Sequence, residues 1–219
     1  MLNKKEFEKV KKQCELSNAA LVAVTKTKSI EELTDLYHQG QRIFGENRVQ
    51  ELIAKRAELP LDIQWHLIGH LQTNKVKYIA DFVELIHAVD SIKLLKEIQK
   101  QAKNNNRVMD CLLQFHVAQE ESKFGIPPAK LKQFMEDIKQ LDTSNIRICG
   151  VMGMASFVDD QAQVRREFKD LKNIFNILKI NYFANVDSFK TLSTGMSGDF
   201  GIALEEGSTM VRVGSLLFS

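Results

Sequence analysis

The sequence has no apolar run approaching the roughly 20 residues that a membrane-spanning helix requires. The charges of Met1-Leu2-Asn3-Lys4-Lys5-Glu6 are not followed by the apolar stretch of a secretory signal. No membrane partner is expected, and the expectation is a soluble protein of the cytoplasm. A surplus of either charge is also missing. The 30 basic and 28 acidic residues leave a net charge of +2, far from the excess that neutralising a row of phosphates demands, so nucleic acid is not expected as a partner. Cysteine is scarce. Cys14, Cys111 and Cys149 are odd in number, far apart and without CxxC spacing, which argues for reduced thiols against a disulfide framework or a zinc site. The GxGxxG turn of a dinucleotide-binding fold is absent. No linker, low-complexity tract or repeat interrupts the chain. With 219 residues, 44% of them hydrophobic, one core is expected, in a single domain over residues 1–219.

What is present is an alternation. Phe7, Val10 and Cys14 stripe an amphipathic helix over residues 3–16. The apolar run Leu21-Val22-Ala23-Val24 then reads as a strand buried on both faces. Ser29 caps a helix over 30–39, with Glu31 and Glu32 in its positive first turn and Gly40 at its end. A short second strand is expected at 42–44 with a turn at 45–47, and Val49, Leu52 and Ile53 stripe the next helix. The pattern continues with strands at 63–68, 83–89, 108–117 and 146–152. Helices are expected over 73–80, from Ser91, from Pro127-Pro128, and along the stripe Val164, Phe168, Leu171, Ile174 and Leu178. A strand within 190–193, a short helix from Met196 to about 206 and a strand over 210–214 complete it. Eight strands separated by helical sequence predict a closed parallel (β/α)₈ TIM barrel with an extra N-terminal helix.

Closure would set the eighth strand beside the first, so Arg212 would lie next to Lys26. An amine at the mouth of an apolar strand is expected to be partly desolvated, which favours the neutral form that condenses with a carbonyl to a Schiff base; the alternative is a lysine whose head reaches water. Loops after the last two strands commonly bind phosphate in such barrels. Here they supply Ser197, Gly214 and Ser215, with glycine backbone and a helix N-terminus nearby. Arg212, within an otherwise apolar strand, either pairs with an acid across the barrel or donates to a ligand. An amine, an anion nest and a planar donor together fit pyridoxal 5′-phosphate (PLP), with Arg212 at the pyridine nitrogen, keeping it unprotonated.

Four motifs carry a resemblance as well. They are Ala23-Val24-Thr25-Lys26-Thr27-Lys28; Phe44-Gly45-Glu46-Asn47 with Val49-Gln50-Glu51; Trp65-His66-Leu67-Ile68-Gly69-His70-Leu71-Gln72 with Asn74-Lys75; and Gly195-Met196-Ser197 with Gly207-Ser208-Thr209-Met210-Val211-Arg212. In this order they resemble the pyridoxal phosphate homeostasis protein family. The resemblance implies the fold-type III barrel seen in the N-terminal domain of alanine racemase, with Lys26 as the Schiff-base lysine. It also implies Asn47 near the cofactor ring, Ser197, Gly214 and Ser215 at the phosphate, and Arg212 at the ring nitrogen. Ser29, Thr194, Ser215 and Ser219 depart from residues common in the family; none removes a proposed ligand, though the loop before Ser197 can differ in shape.

The functional expectation is a PLP-binding protein of intracellular vitamin B6 homeostasis without strong catalysis, handing cofactor to PLP-dependent apo-enzymes and working as a monomer. The alternative is a PLP-dependent amino-acid racemase or decarboxylase on the same scaffold; a third reading is an aldolase-like barrel whose Lys26 condenses directly with a phosphorylated sugar. A racemase of this fold draws its second acid/base group, a tyrosine, from an added β-domain. The chain ends at Ser219, so no such domain is expected, and Tyr37, Tyr78 and Tyr182 fall in or beside outer helices. His66 and His70 are four apart, but the strand pattern and Gly69 argue against a metal pair. His66 is a candidate to face the barrel mouth, and Lys123 a candidate second lysine on its rim.

Overall fold

The computed structural model describes residues 1–120 and 124–218. Eight parallel strands close into a barrel in sequence order: β1 (Ala20–Val24), β2 (Ile43–Glu46), β3 (Gln64–Leu67), β4 (Leu85–Val89), β5 (Met109–Gln114), β6 (Ile146–Met152), β7 (Thr191–Ser193) and β8 (Met210–Val213). The seam pairs β8 with β1 in the register Leu21 to Val211, Val22 to Arg212 and Ala23 to Val213. Each side chain on these strands alternates between the barrel interior and the layer under the helices.

Helices α1 (Lys4–Leu16), α2 (Ile30–His38), α3 (Val49–Glu58), α4 (Ile92–Asn104), α5 (Leu131–Lys139), α6 (Gln161–Asn181) and α7 (Phe200–Glu205) surround the sheet. Their starts follow local chemistry. Ser29 and Glu32 form a reciprocal capping box on α2, Ser91 caps α4 and Asp160 caps α6 through two backbone N–H groups. α1 precedes the barrel and buries Phe7, Val10 and Cys14, as its spacing predicts. Its entry is tied to the other end of the chain, where Leu2 bridges Phe218 and the Asn3 N–H donates to the Leu217 carbonyl at 2.8 Å.

The principal core lies between sheet and helices, with Phe44, Trp65, Leu67 and Ile86 meeting Leu33, Leu52 and Leu95 among its members. A smaller cluster of Leu85, Leu112, Cys149 and Met152, with Met210 packed against it, joins β4, β5, β6 and β8 and so fills the barrel interior. No helix among the described residues is long and apolar enough to cross a membrane.

The strand expected over 108–117 ends at Gln114 and the helix expected from Met196 starts at Phe200, and two further elements differ in kind. Of the turn expected at 45–47, Gly45 and Glu46 are instead the end of β2: Gly45 passes so close to β1 that a Cβ there would lie 2.8 Å from Val22 Cγ1, and Glu46 is drawn inward by buried partners. The helix expected over 73–80 is a 3-10 helix, Thr73–Tyr78, closed by i to i+3 bonds such as Ile79 N–H to Val76 O.

Candidate functional site

A cavity of about 730 Å³ opens where the strands deliver their C-terminal ends, within the roughly 300–1,000 Å³ usual for small-molecule sites. Lys26, Asn47, Ser197, Arg212, Gly214 and Ser215 all line it. The structure thus brings these six expected residues together around one cavity. Val24, Ile68, Met154 and Ile202 supply apolar wall. Lys123 lies outside the described residues.

Lys26 is exposed to this cavity rather than desolvated by the strand before it, because β1 ends at Val24 and the chain turns upward. What fixes it is the backbone on either side. The buried Thr25 hydroxyl donates to Glu46 Oε1 at 2.6 Å. Lys55 donates to the same oxygen at 2.6 Å and to the Thr25 carbonyl at 2.7 Å. Beyond Lys26, Thr27 adopts a left-handed conformation, φ 64°, strained for a β-branched residue. Its N–H is held by Glu51 Oε2 at 3.0 Å. Glu46 is fully buried with one oxygen unpartnered. Burial pushes its carboxyl up, opposed by the bonds from Lys55 and Thr25. Lys55 carried no functional expectation from its sequence context. Its signal was a lysine on the buried face of α3, beside Val49 and Leu52 and four residues after Glu51.

Asn47 is set by its neighbour across the sheet. A Cβ on Gly69 would lie 2.4 Å from the Asn47 carbonyl oxygen, so only glycine lets the β3 exit pass there.

Arg212 is 4% exposed and donates to the Ser193 carbonyl at 3.0 Å, to Ser193 Oγ at 2.7 Å and to the Gly153 carbonyl at 3.1 Å. Burial pulls its pKa down to about 10, with the charge of Asp199 acting in the opposite sense. Among the described residues no carboxylate is within ion-pair distance of it, so the cross-barrel acid considered from the sequence is not its partner. Ser193 Oγ lies 3.2 Å from His87 Nδ1, and His87 Nε2 lies 3.0 Å from His66 Nδ1. Burial holds His66 at a pKa of about 3. His87 is also held well below its usual range, first by burial and then by the charges of His66 and Arg212. His66 therefore sits beneath the cavity and does not line it. His70 does line it, stacked on Phe124 with ring centroids 4.0 Å apart and 3.4 Å from the Asp90 carboxylate. The two histidines face different partners. His87 carried no sequence reading; its signal was a single polar residue within the apolar strand Leu85-Ile86-His87-Ala88-Val89.

At the opposite wall Ser197 Oγ accepts the Gly214 N–H at 3.1 Å, and the Asp199 carboxylate accepts the Met196 N–H. The expected helix dipole is weak here. α7 is six residues long, and its cap position is itself a carboxylate.

The family described as alanine racemase, N-terminal domain, matches residues 4–219. A pyridoxal phosphate homeostasis protein of Aquifex aeolicus is 41% identical over 218 residues, covering 97% of this chain and 93% of that one. The chain belongs to the pyridoxal phosphate homeostasis protein family. Another relative of that name, from Vibrio alginolyticus, is 36% identical over 90% of this chain and 84% of its own. Among solved structures, PipY of Synechococcus elongatus PCC7942 without PLP superposes with a TM-score of 0.89 at 33% identity, over 98% of this chain and 99% of that one. PipY with PLP bound gives 0.82 at 34%, over 92% and 93%. Alanine racemase from Bartonella henselae with covalently bound pyridoxal phosphate gives 0.70 at 14% identity, over 95% of this chain and 56% of the racemase, a likeness of fold alone. Within the motif Phe44-Gly45-Glu46-Asn47 and beyond it, Glu46 and Glu51 have a physical role in this chain: with the Gly45 carbonyl and Lys55 they fasten the segment that carries Lys26.

Two outcomes are expected. Lys55→Met leaves Glu46 buried without its cation and costs roughly 3–5 kcal/mol in urea unfolding at pH 7, whereas Lys55→Met with Glu46→Gln recovers a large part. The depressed pKa of His66 means that the unfolded state binds a proton more readily than the folded one. The stability this contributes is present above about pH 6.5 and is lost as pH falls toward about 3. A series of unfolding curves across that window should slope downward with acid, and a His66→Asn variant should show a shallower slope.

Proposed function

We propose that the protein binds PLP in this cavity and serves intracellular PLP homeostasis, holding the cofactor on Lys26 as a Schiff base. The observation that carries the reading is that an accessible amine, Lys26, shares one cavity with a buried, unpaired guanidinium, Arg212. A buried cation without an anion is costly unless a ligand supplies an acceptor. The residues fit the group. Lys26 supplies the amine, Asn47 flanks the ring, Ser197, Gly214 and Ser215 hold the phosphate, and Arg212 faces the pyridine nitrogen. When bound, the cofactor supplies an aldehyde that takes up the Lys26 amine with loss of water, and an electron-withdrawing ring. PLP bound to PipY, a relative 34% identical over most of this chain, supports the assignment.

Arg212 weakens that ring as an electron sink. A guanidinium only donates, so it keeps the nitrogen unprotonated. The three tyrosines stand away from the cavity: Tyr37 lies in α2, Tyr78 in the 3-10 helix after β3 and Tyr182 just past α6. Both features favour a carrier over a racemase or decarboxylase. The name homeostasis protein in the relatives agrees with this. The reading extends to a single cofactor-binding domain over residues 1–219, acting in the cytoplasm as a monomer and passing PLP to apo-enzymes through the cavity mouth.

Borohydride reduction of the yellow holo-protein followed by peptide mapping should place the pyridoxyl group on Lys26. Lys26→Ala should abolish the visible absorbance while retaining part of the noncovalent binding, and Arg212→Gln should weaken retention and shift the band. An adduct mainly on Lys28 or Lys123 would sink the assignment. A panel of common amino acids should give negligible turnover; robust turnover of any one of them would promote the enzyme reading.

A further inference from the structure

Four polar side chains from four different strands meet inside the barrel: His66 of β3, His87 of β4, Ser193 of β7 and Arg212 of β8. All four are buried. The His87 to Ser193 contact joins β4 to β7, which are not neighbours in the sheet, so the chain of bonds crosses the interior. Apolar residues would fill that space at less cost, because each polar group taken from water must be repaid by a bond.

The direction of the chain follows from its first member. A guanidinium has five N–H donors and no acceptor, so Arg212 donates to Ser193 Oγ. The Ser193 hydroxyl hydrogen then needs an acceptor, and the polar atom beside it is His87 Nδ1 at 3.2 Å. His87 accepts there, so its proton sits on Nε2, which faces His66 Nδ1 at 3.0 Å. His66 accepts in turn and keeps its proton on its own Nε2. With the histidines in the other tautomer, Ser193 Oγ would receive two donors and its hydrogen would lose this acceptor. The inferred order is Arg212 to Ser193 to His87 to His66, each group donating to the next.

We propose that Ser193 and His87, backed by His66, are positioning residues for the pyridine ring, acting through Arg212. The proposal rests on the reading of the cavity as a PLP site. Three bonds, to the Ser193 carbonyl, Ser193 Oγ and the Gly153 carbonyl, fix the plane of the guanidinium. Its remaining donors are left for the cavity that Arg212 lines. The serine bond keeps its strength because Ser193 is itself anchored: it cannot swing away without stranding His87 Nδ1, and His87 is held in turn by His66. Ser193 and His87 need touch no ligand to do this. The depressed pKa values of both histidines agree with a chain that stays neutral, so that Arg212 is its one charge at neutral pH.

The test uses the full-length protein. In the cofactor-free form, nitrogen-15 NMR of the imidazoles should show both His66 and His87 as Nε2–H tautomers at pH 7, and Arg212→Gln should alter the His87 signal. In the holo-form, Ser193→Ala and His87→Gln should weaken PLP retention by roughly tenfold, the size of one bond to a charged group. Both should move the absorbance band in the direction that Arg212→Gln moves it. In an Arg212→Gln background the same changes should have little further effect on retention, since they act through a group no longer there. Nδ1–H tautomers, or variants that lower the melting temperature yet keep the band and the affinity, would reduce the chain to interior packing. Full additivity with Arg212→Gln would do the same. Should His87→Gln fail to fold, Ser193→Ala and the tautomer assignment decide the matter. Borohydride trapping on Lys26 separates the two failures. A normal adduct with an unchanged Ser193→Ala spectrum overturns this proposal alone, whereas no adduct in the unmodified protein overturns the cofactor reading and this proposal with it.

Discussion

The pairing of β8 with β1 is the constraint on which the site depends. Before closure, Lys26 and Arg212 belong to opposite ends of the chain; after it, Val22 and Arg212 are register partners and Lys26 lies just beyond the same strand. Closure also removes the free edges of the sheet, so the interior must be filled from all sides. The filling is divided. Leu85, Leu112, Met152 and Met210 form one apolar cluster, and His66, His87, Ser193 and Arg212 a polar one. The polar cluster reaches the cavity.

Two buried cations sit near this cavity, and they are treated differently. Lys55 is paired and bonded, to Glu46 and to a backbone carbonyl, and its charge is spent on holding the turn at Thr25. Arg212 is bonded to neutral oxygens only, and its charge remains available. A buried ion pair contributes little net stability compared with apolar packing, but it fixes geometry strongly because breaking it strands a charge. In one case the fold uses a buried charge to shape the backbone, and in the other to face a ligand.

The barrel and five of the six cavity residues were legible because they announce themselves locally, whereas Asn47 came only with the family resemblance. Strand periodicity locates the ends of β1, β7 and β8, and functional side chains of a barrel project from those ends and the loops after them. Lys55, His87 and Ser193 were not legible in this way. The His87 to Ser193 contact spans 106 positions, and no local pattern records which polar group an inward histidine will meet. Glu46 was seen as part of a motif, but its role depends on Lys55 approaching from α3. The same ignorance of partners explains why desolvation was expected for Lys26 and is found for Arg212 instead.

The bond from the Asn3 N–H to the Leu217 carbonyl joins the first turn of the protein to the short helix Ser215–Leu217. With Leu2 bridging Phe218, the two extremities form a clasp beside one wall of the cavity. Fraying of the first three residues and loosening of Ser215 are therefore not independent fluctuations. They share one opening equilibrium, and whatever steadies Ser215 also slows exchange of the amide hydrogen at Asn3.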